Sequence, residues 1–241
     1  MKKLGIWLML VMALIAVPAG AWAVPYQVVA VANGGIITGR VSYAGPPPKP
    51  QLIDITKDKE VCGAQPHYRE DLVVGRGGGI ANAVVFIANI DKGAPAPGGT
   101  FKFDQKGCQY SPHVLAFPVG STVEILNSDG ILHNIHTYST VNPPINYAQP
   151  RFKKVIDVKV EHPELIRVTC DAHGWMEGWW YAFDNPYFAR TDNQGHFQIK
   201  DVPPGTYTLT VWQEKLGNQS QKVTVKGGQS TTADFTYHPK S

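Results

Sequence analysis

Short segments in which apolar and polar residues alternate recur along the chain between turn residues. Within residues 206–211, Tyr207, Leu209 and Val211 alternate with threonines. An alternation with a period of two is typical of a strand with one buried face. Similar patterns, together with runs rich in Val, Ile, Thr, Tyr and Phe, predict strands over residues 36–43, 83–88, 114–118, 122–126, 134–138, 154–160, 165–169, 179–183, 196–200, 206–213, 220–225 and 231–237. No segment shows a convincing helical period, so we predict an all-β protein.

The first residues have the form of an export signal. Lys2 and Lys3 precede an apolar run over residues 4–17, and Ala21-Trp22-Ala23 closes the segment. A basic start, a short apolar stretch and a small-x-small triplet are typical of a cleaved secretory signal peptide. We therefore predict a signal peptide over residues 1–23, a periplasmic or extracellular location and no membrane span after cleavage. An uncleaved membrane anchor is the alternative.

The charge balance argues against a nucleic-acid partner. The full chain has 22 Lys and Arg against 19 Asp and Glu, and loss of residues 1–23 would remove two lysines and no acidic residue. The exported chain would be nearly neutral, whereas a nucleic-acid-binding protein presents a dense basic face. We predict no nucleic-acid partner.

The segment Cys170-x2-His173-x2-Met176 places a thiolate, an imidazole and a thioether within one turn. Two histidines, one cysteine and a distant methionine are the ligands of blue-copper electron-transfer sites. A second imidazole is available upstream at His133 or His136, which face opposite sides of a strand because their separation is odd. The pattern predicts a copper site. Zinc is the competing metal, although a methionine is a poor zinc ligand.

Three cysteines in an exported chain leave one unpaired. If Cys170 binds the metal, Cys62 and Cys108 remain, and an oxidising compartment favours a disulfide between them. The alternative is a second metal site that includes Cys108 and His113.

Over residues 108–183 the sequence resembles the cupredoxins, in particular those of the amicyanin type. The features that carry the resemblance are the strand pair Pro118-Val-Gly120-Ser-Thr-Val-Glu-Ile-Leu-Asn127, the motif His133-Asn134-Ile135-His136 and the Cys-x2-His-x2-Met loop. The resemblance implies a Greek-key β-sandwich that binds one copper ion, cycling between Cu(I) and Cu(II), through His133, Cys170, His173 and Met176. His136 is the alternative to His133. Ala172 and Gly174 stand where the family tends to have prolines.

Four aromatic residues surround the site in sequence: Trp175, Trp179, Trp180 and Tyr181. They either form an apolar surface where the copper meets a redox partner, or alternate members of the set fill two cores. We expect His173 to be the exposed ligand of the copper, and Trp175 to be a candidate docking residue beside it.

The last part of the chain resembles transthyretin-like, carboxypeptidase-regulatory β-sandwiches. The resemblance rests on residues 189–209, with a Gly195 turn before an inward Phe/Ile strand and a Pro204-Gly205 turn after it. The opening strands of that family occur much earlier, over residues 38–43 and 82–87. We therefore predict one sandwich divided between residues 24–99 and 185–241, with a cupredoxin domain at residues 100–184 inserted in it. Two consecutive domains are the alternative arrangement.

These interpretations predict an exported copper protein that carries single electrons between redox partner proteins. The resemblance to the amicyanin type implies a c-type cytochrome or a dehydrogenase as partner. The sequence contains no Gly-x-Ser-x-Gly elbow, and its remaining histidines are scattered, so we expect that the chain is not an enzyme. The alternatives are a copper-binding protein for metal handling, and a surface or carbohydrate-binding β-sandwich with a structural metal.

Overall fold

The computed structural model describes residues 25–239, so the predicted signal peptide lies outside the described residues. The strands are β1 (Gln27–Val28), β2 (Gly35–Tyr43), β3 (Val84–Ile87), β4 (Lys92–Gly93), β5 (Thr100–Lys106), β6 (Gln109–Ser111), β7 (Val114–Pro118), β8 (Thr122–Asn127), β9 (His133–Tyr138), β10 (Asn146–Gln149), β11 (Val155–Lys159), β12 (Glu164–Thr169), β13 (Glu177–Phe183), β14 (Phe188–Arg190), β15 (His196–Val202), β16 (Gly205–Gln213), β17 (Gly217–Val225), β18 (Ser230–Thr232) and β19 (Phe235–Tyr237). Among the described residues, one short helix, α1 (Lys59–Cys62), and a 3₁₀ turn at Arg76–Gly78 complete the secondary structure. Within the described part of the chain, no helix has the length and apolar character to cross a membrane.

The strands between residues 100 and 183 form two sheets, which we call the inserted sandwich. One sheet has the strand order β10-β9-β12-β13-β7 and the other β11-β8-β5-β6. Each strand turns alternate residues inward, and together the inner faces bury a core that includes Phe103, Tyr110, Phe117, Ile125, Ile135, Ile166 and Trp180. Gly120, at a φ of 74°, allows the tight turn that joins β7 to β8.

The strands on either side of that segment form a second unit, which we call the outer sandwich. One sheet has the order β14-β3-β16-β17, and in the other β2 pairs with β15, β18 and β19. Strands from residues 35–87 thus pair with strands from residues 188–237, and the inserted sandwich lies between them along the chain. The predicted fold class is confirmed, since the protein is all-β with one sandwich within the sequence of the other.

A cluster of aromatic residues joins the two sandwiches. Strand β13 turns Trp180 into the core of the inserted sandwich, whereas Trp179 and Tyr181 point towards the outer sandwich. There the ring of Trp212 lies 5.4 Å from that of Trp179 and 6.0 Å from that of Tyr181. The alternation of β13 therefore serves two cores, as a strand pattern predicts.

Residues 51–69 form a loop that we call the strap. It is closed on itself by backbone hydrogen bonds from Ile53 to His67 (2.8 Å) and from Arg69 to Gln51 (2.9 Å). Helix α1 lies within it, and the Cys62–Cys108 disulfide ties it to the turn between β5 and β6. The strap therefore belongs in sequence to the outer sandwich and is covalently bonded to the inserted one.

Candidate metal centre

Three of the predicted ligands come together at one end of the inserted sandwich. His133 is the first residue of β9, Cys170 follows the end of β12, and His173 lies in the turn before β13. Strand β12 pairs with β9, with Thr169 opposite His136, so the end of β12 brings its loop to the start of β9. His133, Cys170 and His173 are all buried, with at most 1% of their surface exposed.

The donor atoms of these three residues face one another. His133 Nδ1 lies 3.1 Å from His173 Nδ1, and Cys170 Sγ lies 3.8 Å from the same nitrogen. All three atoms lie within 4.8 Å of one another. A thiolate and two imidazole nitrogens at these separations surround a space that one metal ion could occupy with normal bond lengths of about 2.0–2.3 Å.

Met176 closes the loop and lies in the same core. Its backbone N–H donates to His173 O at 2.9 Å, and Cys170 N donates to Met176 O at 3.3 Å. Its side chain is buried, with 2% exposed. These two hydrogen bonds fix the turn that carries the thiol and the second imidazole.

Each imidazole has a carboxylate at its other nitrogen. His133 Nε2 and His173 Nε2 lie 2.8 Å from carboxylate oxygens of Asp129 and Asp58, respectively. A carboxylate only accepts hydrogen bonds, so each Nε2 carries the proton and each Nδ1 is left to face the thiol. This outer hydrogen bond sets the tautomer that a metal needs.

Asp129 is itself held by the backbone. Its two oxygens accept from Gly107 N at 2.6 Å and from Cys108 N at 2.8 Å. Burial raises the pKa of Asp129, but the hydrogen bond from His133 and these two backbone bonds lower it more, so the net pKa is below its usual value. Asp129 is therefore a fixed negative charge beside His133.

The two imidazoles differ in their affinity for a proton. Burial lowers the pKa of His133, but the hydrogen bond to Asp129 and the proximity of Cys170 outweigh it and raise the pKa to about 9. Burial lowers the pKa of His173, and the bond to Asp58 offsets this only in part. At neutral pH the metal-free His133 therefore carries a proton on Nδ1 as well as on Nε2, and its Nδ1–H can donate to His173 Nδ1. A metal ion that binds at these nitrogens would displace the Nδ1 proton.

Two alternatives from the sequence are not brought to the site. His136 faces the other side of β9, where its Nδ1 pairs with Asp171 at 2.9 Å. Cys108 is in a disulfide with Cys62, and His113 Nε2 pairs with Glu214 at 2.6 Å. Within residues 25–239, Cys108 and His113 therefore do not form a second metal site.

The expectation that His173 is the exposed ligand is wrong. Its ring is fully buried, because Asp58 of the strap lies over its Nε2 and Trp175 lies at its side, with ring centroids 5.1 Å apart. Trp175 is partly buried and donates from Nε1 to Cys108 O at 3.2 Å, so its role in docking stays a prediction.

Sequence reasoning missed Asp129 and Asp58. A signal for Asp129 was present, because it lies only four residues before His133. No local pattern points to Asp58, which is separated from His173 by 115 residues and reaches it only through the fold of the strap.

The last part of the chain is similar to a domain of known enzymes. Residues 171–233 match the family model for polysaccharide lyase family 4, domain II. The chain is 35% identical to rhamnogalacturonate lyase A from Aspergillus niger over 57 residues, which is 24% of this chain and 11% of the lyase. It is 36% identical over 56 residues to a Neurospora crassa protein named as a rhamnogalacturonase, covering 23% and 10% of the two chains. The chain thus spans about a tenth of the length of these relatives.

This similarity corrects one prediction. The prediction that the chain is not an enzyme is contradicted, because the family model and the relatives that match all carry the names of enzymes. The family model that matches residues 171–233 is polysaccharide lyase family 4, domain II, and the transthyretin-like resemblance stays a prediction.

Similar solved structures are copper proteins. A copper-containing nitrite reductase from Thermus scotoductus has a TM-score of 0.33 and 21% identity, over 36% of this chain and 23% of its own. A purple cupredoxin from Nitrosopumilus maritimus has a TM-score of 0.30 and 22% identity, over 34% of this chain and 99% of its own. An oxidised amicyanin variant has a TM-score of 0.33 and 18% identity, over 41% of this chain and 98% of its own.

Proposed function

We propose that this chain binds one copper ion and carries single electrons between redox partner proteins outside the cytoplasm. The ligands are His133, Cys170 and His173, with Met176 as a more distant fourth. The observation that carries the proposal is the convergence of two Nδ1 atoms and one unpaired thiol in a buried site.

The residues present suit copper in both of its oxidation states. A bound copper ion would supply one-electron chemistry, since thiolate and thioether sulfur favour Cu(I) and imidazole favours Cu(II). The protein contributes a fixed geometry, because Asp129 and Asp58 orient the two rings and backbone hydrogen bonds fix the loop. The apolar core around Cys170 and Met176 excludes water.

The test is to add Cu(II) to the full exported chain and record its visible spectrum and its voltammogram. We expect an intense band from the copper–thiolate bond and reversible one-electron cycling. Cys170→Ser should lose the band, while the Cys62–Cys108 pair should stay oxidised in both proteins. Tight Zn(II) binding with no copper band would contradict the proposal, and copper that binds but cycles slowly and dissociates on reduction would favour metal handling.

A second candidate function is favoured by the match to polysaccharide lyase family 4, domain II. In this alternative the outer sandwich contributes to an activity on an acidic polysaccharide. An open groove of about 700 Å³ on that sandwich is lined by Arg40, Arg190, His196 and Phe197 among other residues. Incubation with rhamnogalacturonan, followed by assay of new chain ends and by calorimetric binding, distinguishes the two functions, because the electron carrier should give neither signal.

A further inference from the structure

The strap covers the metal site from outside the inserted sandwich. Asp58 Oδ2 lies 2.8 Å from His173 Nε2, and Lys57 Nζ donates to Ala172 O at 3.3 Å. The ring of His173 is fully buried, whereas the side chain of Asp58 is 40% exposed. One hydrogen bond therefore links the buried loop imidazole to a carboxylate that is partly exposed to solvent.

We propose that Asp58 is a positioning residue of the metal centre, which orients His173 for the metal and adds a negative charge that favours the oxidised ion. The inference rests on the proposed function. The hydrogen bond to Asp58 fixes the tautomer of the His173 ring. Because the Asp58 carboxylate accepts from Nε2–H, it keeps His173 Nδ1 unprotonated and directed towards Cys170 and His133.

The two imidazoles have equivalent partners, because each Nε2 lies 2.8 Å from an aspartate oxygen. His133 has Asp129, which lies within the inserted sandwich and is fixed by backbone N–H groups. His173 has the same chemical partner at the same distance, supplied by a segment 115 residues away. An outer carboxylate raises the basicity of a ligating imidazole and typically changes metal affinity by about 10-fold to 100-fold.

The backbone of the strap holds Asp58 in place. Asp58 precedes α1 and has left-handed backbone angles (φ 48°, ψ 45°), which Asp and Asn tolerate better than most residues. Its carbonyl accepts from Cys62 N at 2.8 Å. The disulfide then links Cys62 to Cys108, whose own N–H donates to Asp129. One covalent bond therefore connects the backbone supports of both carboxylates.

The test compares Asp58→Asn with Glu60→Gln in the full exported chain. Asn keeps the backbone preference and the size of Asp58 but removes the charge. Glu60 is an exposed carboxylate in α1 and accepts no hydrogen bond within the described residues. We expect Asp58→Asn to raise the dissociation constant for Cu(II) by about 10-fold and to raise the reduction potential, because the oxidised ion loses a nearby negative charge. Glu60→Gln should change the dissociation constant by less than about twofold.

A measurement without metal separates this inference from the proposed function. In the metal-free protein, ¹⁵N NMR of the histidine rings should show His173 as the Nε2–H tautomer, and Asp58→Asn should move the His173 signals while leaving those of His136 in place. Thermal unfolding checks that both variants are folded.

The outcomes then have separate meanings. If the parent protein takes up copper and Asp58→Asn binds it as tightly and at the same potential as Glu60→Gln, the role of Asp58 is refuted while the proposed function stands. If the parent takes up no copper, the proposed function fails, and the ring tautomer alone decides whether Asp58 positions His173. An Nδ1–H tautomer in the parent, or His173 signals that Asp58→Asn leaves unchanged, refutes the positioning role.

Discussion

At the scale of single residues, the proposed metal centre depends on atoms that are not among its proposed ligands. His133 and His173 could each present either ring nitrogen, and a carboxylate at each Nε2 removes that freedom. A ligand whose orientation is fixed before the metal arrives loses less entropy on binding. In the proposed site, the two aspartates thus fix the orientation of both rings beside the thiol of Cys170.

The assignment of the upstream ligand leads to a first prediction. His133→Ala should abolish the copper–thiolate band, because it removes one of the three converging donors. His136→Ala should keep the band, since the His136 ring lies on the other face of β9 and pairs with Asp171. Visible spectra of both variants, loaded with Cu(II) under the same conditions, give the answer. A band that survives in His133→Ala and is lost in His136→Ala would transfer the role to His136.

The sequence could predict the converging residues but not their surroundings. Cys170, His173 and Met176 are spaced within one turn, so their proximity is a local property that the sequence shows. The burial of His173 is a tertiary property. It arises because Asp58 reaches across from the strap, and no spacing rule links residues so far apart.

A second prediction concerns Glu164, which organises the turn after β9. Its carboxylate accepts from Ser139 Oγ at 2.5 Å, Thr140 N at 2.6 Å and Asn142 N at 3.1 Å. Burial raises the pKa of Glu164, but these hydrogen bonds outweigh it and lower the pKa to about 2. The folded pKa is below the unfolded value of about 4.3, so the stabilisation is present above that value and is lost as the pH falls towards about 2.

Glu164→Gln should therefore lower the free energy of unfolding at neutral pH by roughly 1–3 kcal/mol and flatten its acid dependence. Glu161→Gln is the control, because Glu161 is exposed and only its backbone N–H takes part in the turn. Denaturant titrations of the metal-free protein at several acidic pH values measure both effects. An acid dependence that is identical in Glu164→Gln and the parent would contradict the prediction.

At the scale of elements, apolar alternation predicted most of the strands, and the missed ones show what hides a strand. Strand β5 alternates inward Phe101, Phe103 and Gln105 with outward polar residues. Gln105 is polar and interrupts the apolar series, yet it is fully buried. It can be buried because its Nε2 donates to Gln149 Oε1 at 2.5 Å. Strand β10 has three exposed residues of four and no apolar face to detect. An alternation of apolar residues therefore marks neither a strand with a buried polar pair nor an exposed edge strand.

A third prediction concerns an ion pair between elements of the two sandwiches. His113, just before β7, contacts Glu214, just after β16, at 2.6 Å and lies 4.0 Å from Glu70. Burial lowers the pKa of His113, but Glu214, Glu70 and Glu177 together raise it above its usual value. Since the folded pKa exceeds the unfolded value of about 6.5, the stabilisation is complete below that value and is lost as the pH rises through the folded pKa.

In the parent, the free energy of unfolding should therefore fall as the pH rises above about 6.5 and through the folded pKa of His113, and it should fall less in His113→Gln. His162→Gln serves as the control, because His162 is exposed and only its backbone atoms form hydrogen bonds. Urea titrations of metal-free protein across this pH range provide the measurement. A parent and a His113→Gln variant with the same pH dependence would show that the ion pair contributes nothing.

At the scale of the whole molecule, the two sandwiches are joined by an aromatic core and a disulfide as well as by their two chain connections. The interface includes Phe183, whose ring stacks on Phe188 of β14 with centroids 4.4 Å apart. At a second place the strap is bonded to the inserted sandwich through Cys62 and Cys108. Contacts at two separate places restrain the sandwiches more than either contact alone, so we expect the parent to unfold in a single cooperative transition.

The last prediction tests this coupling at Trp212. Its ring contacts Trp179 and Tyr181 across the interface, and only 7% of its surface is exposed. Trp212→Ala should cost about 3–5 kcal/mol, and because the loss falls on the interface as well as on β16, the single transition should separate into two. Phe152→Ala, at a side chain that is 86% exposed, should leave both stability and cooperativity unchanged. Differential scanning calorimetry provides the test, because the calorimetric and van't Hoff enthalpies are equal only for a single transition. A Trp212→Ala protein that still unfolds in one step would mean that the disulfide and the remaining aromatic contacts alone couple the sandwiches.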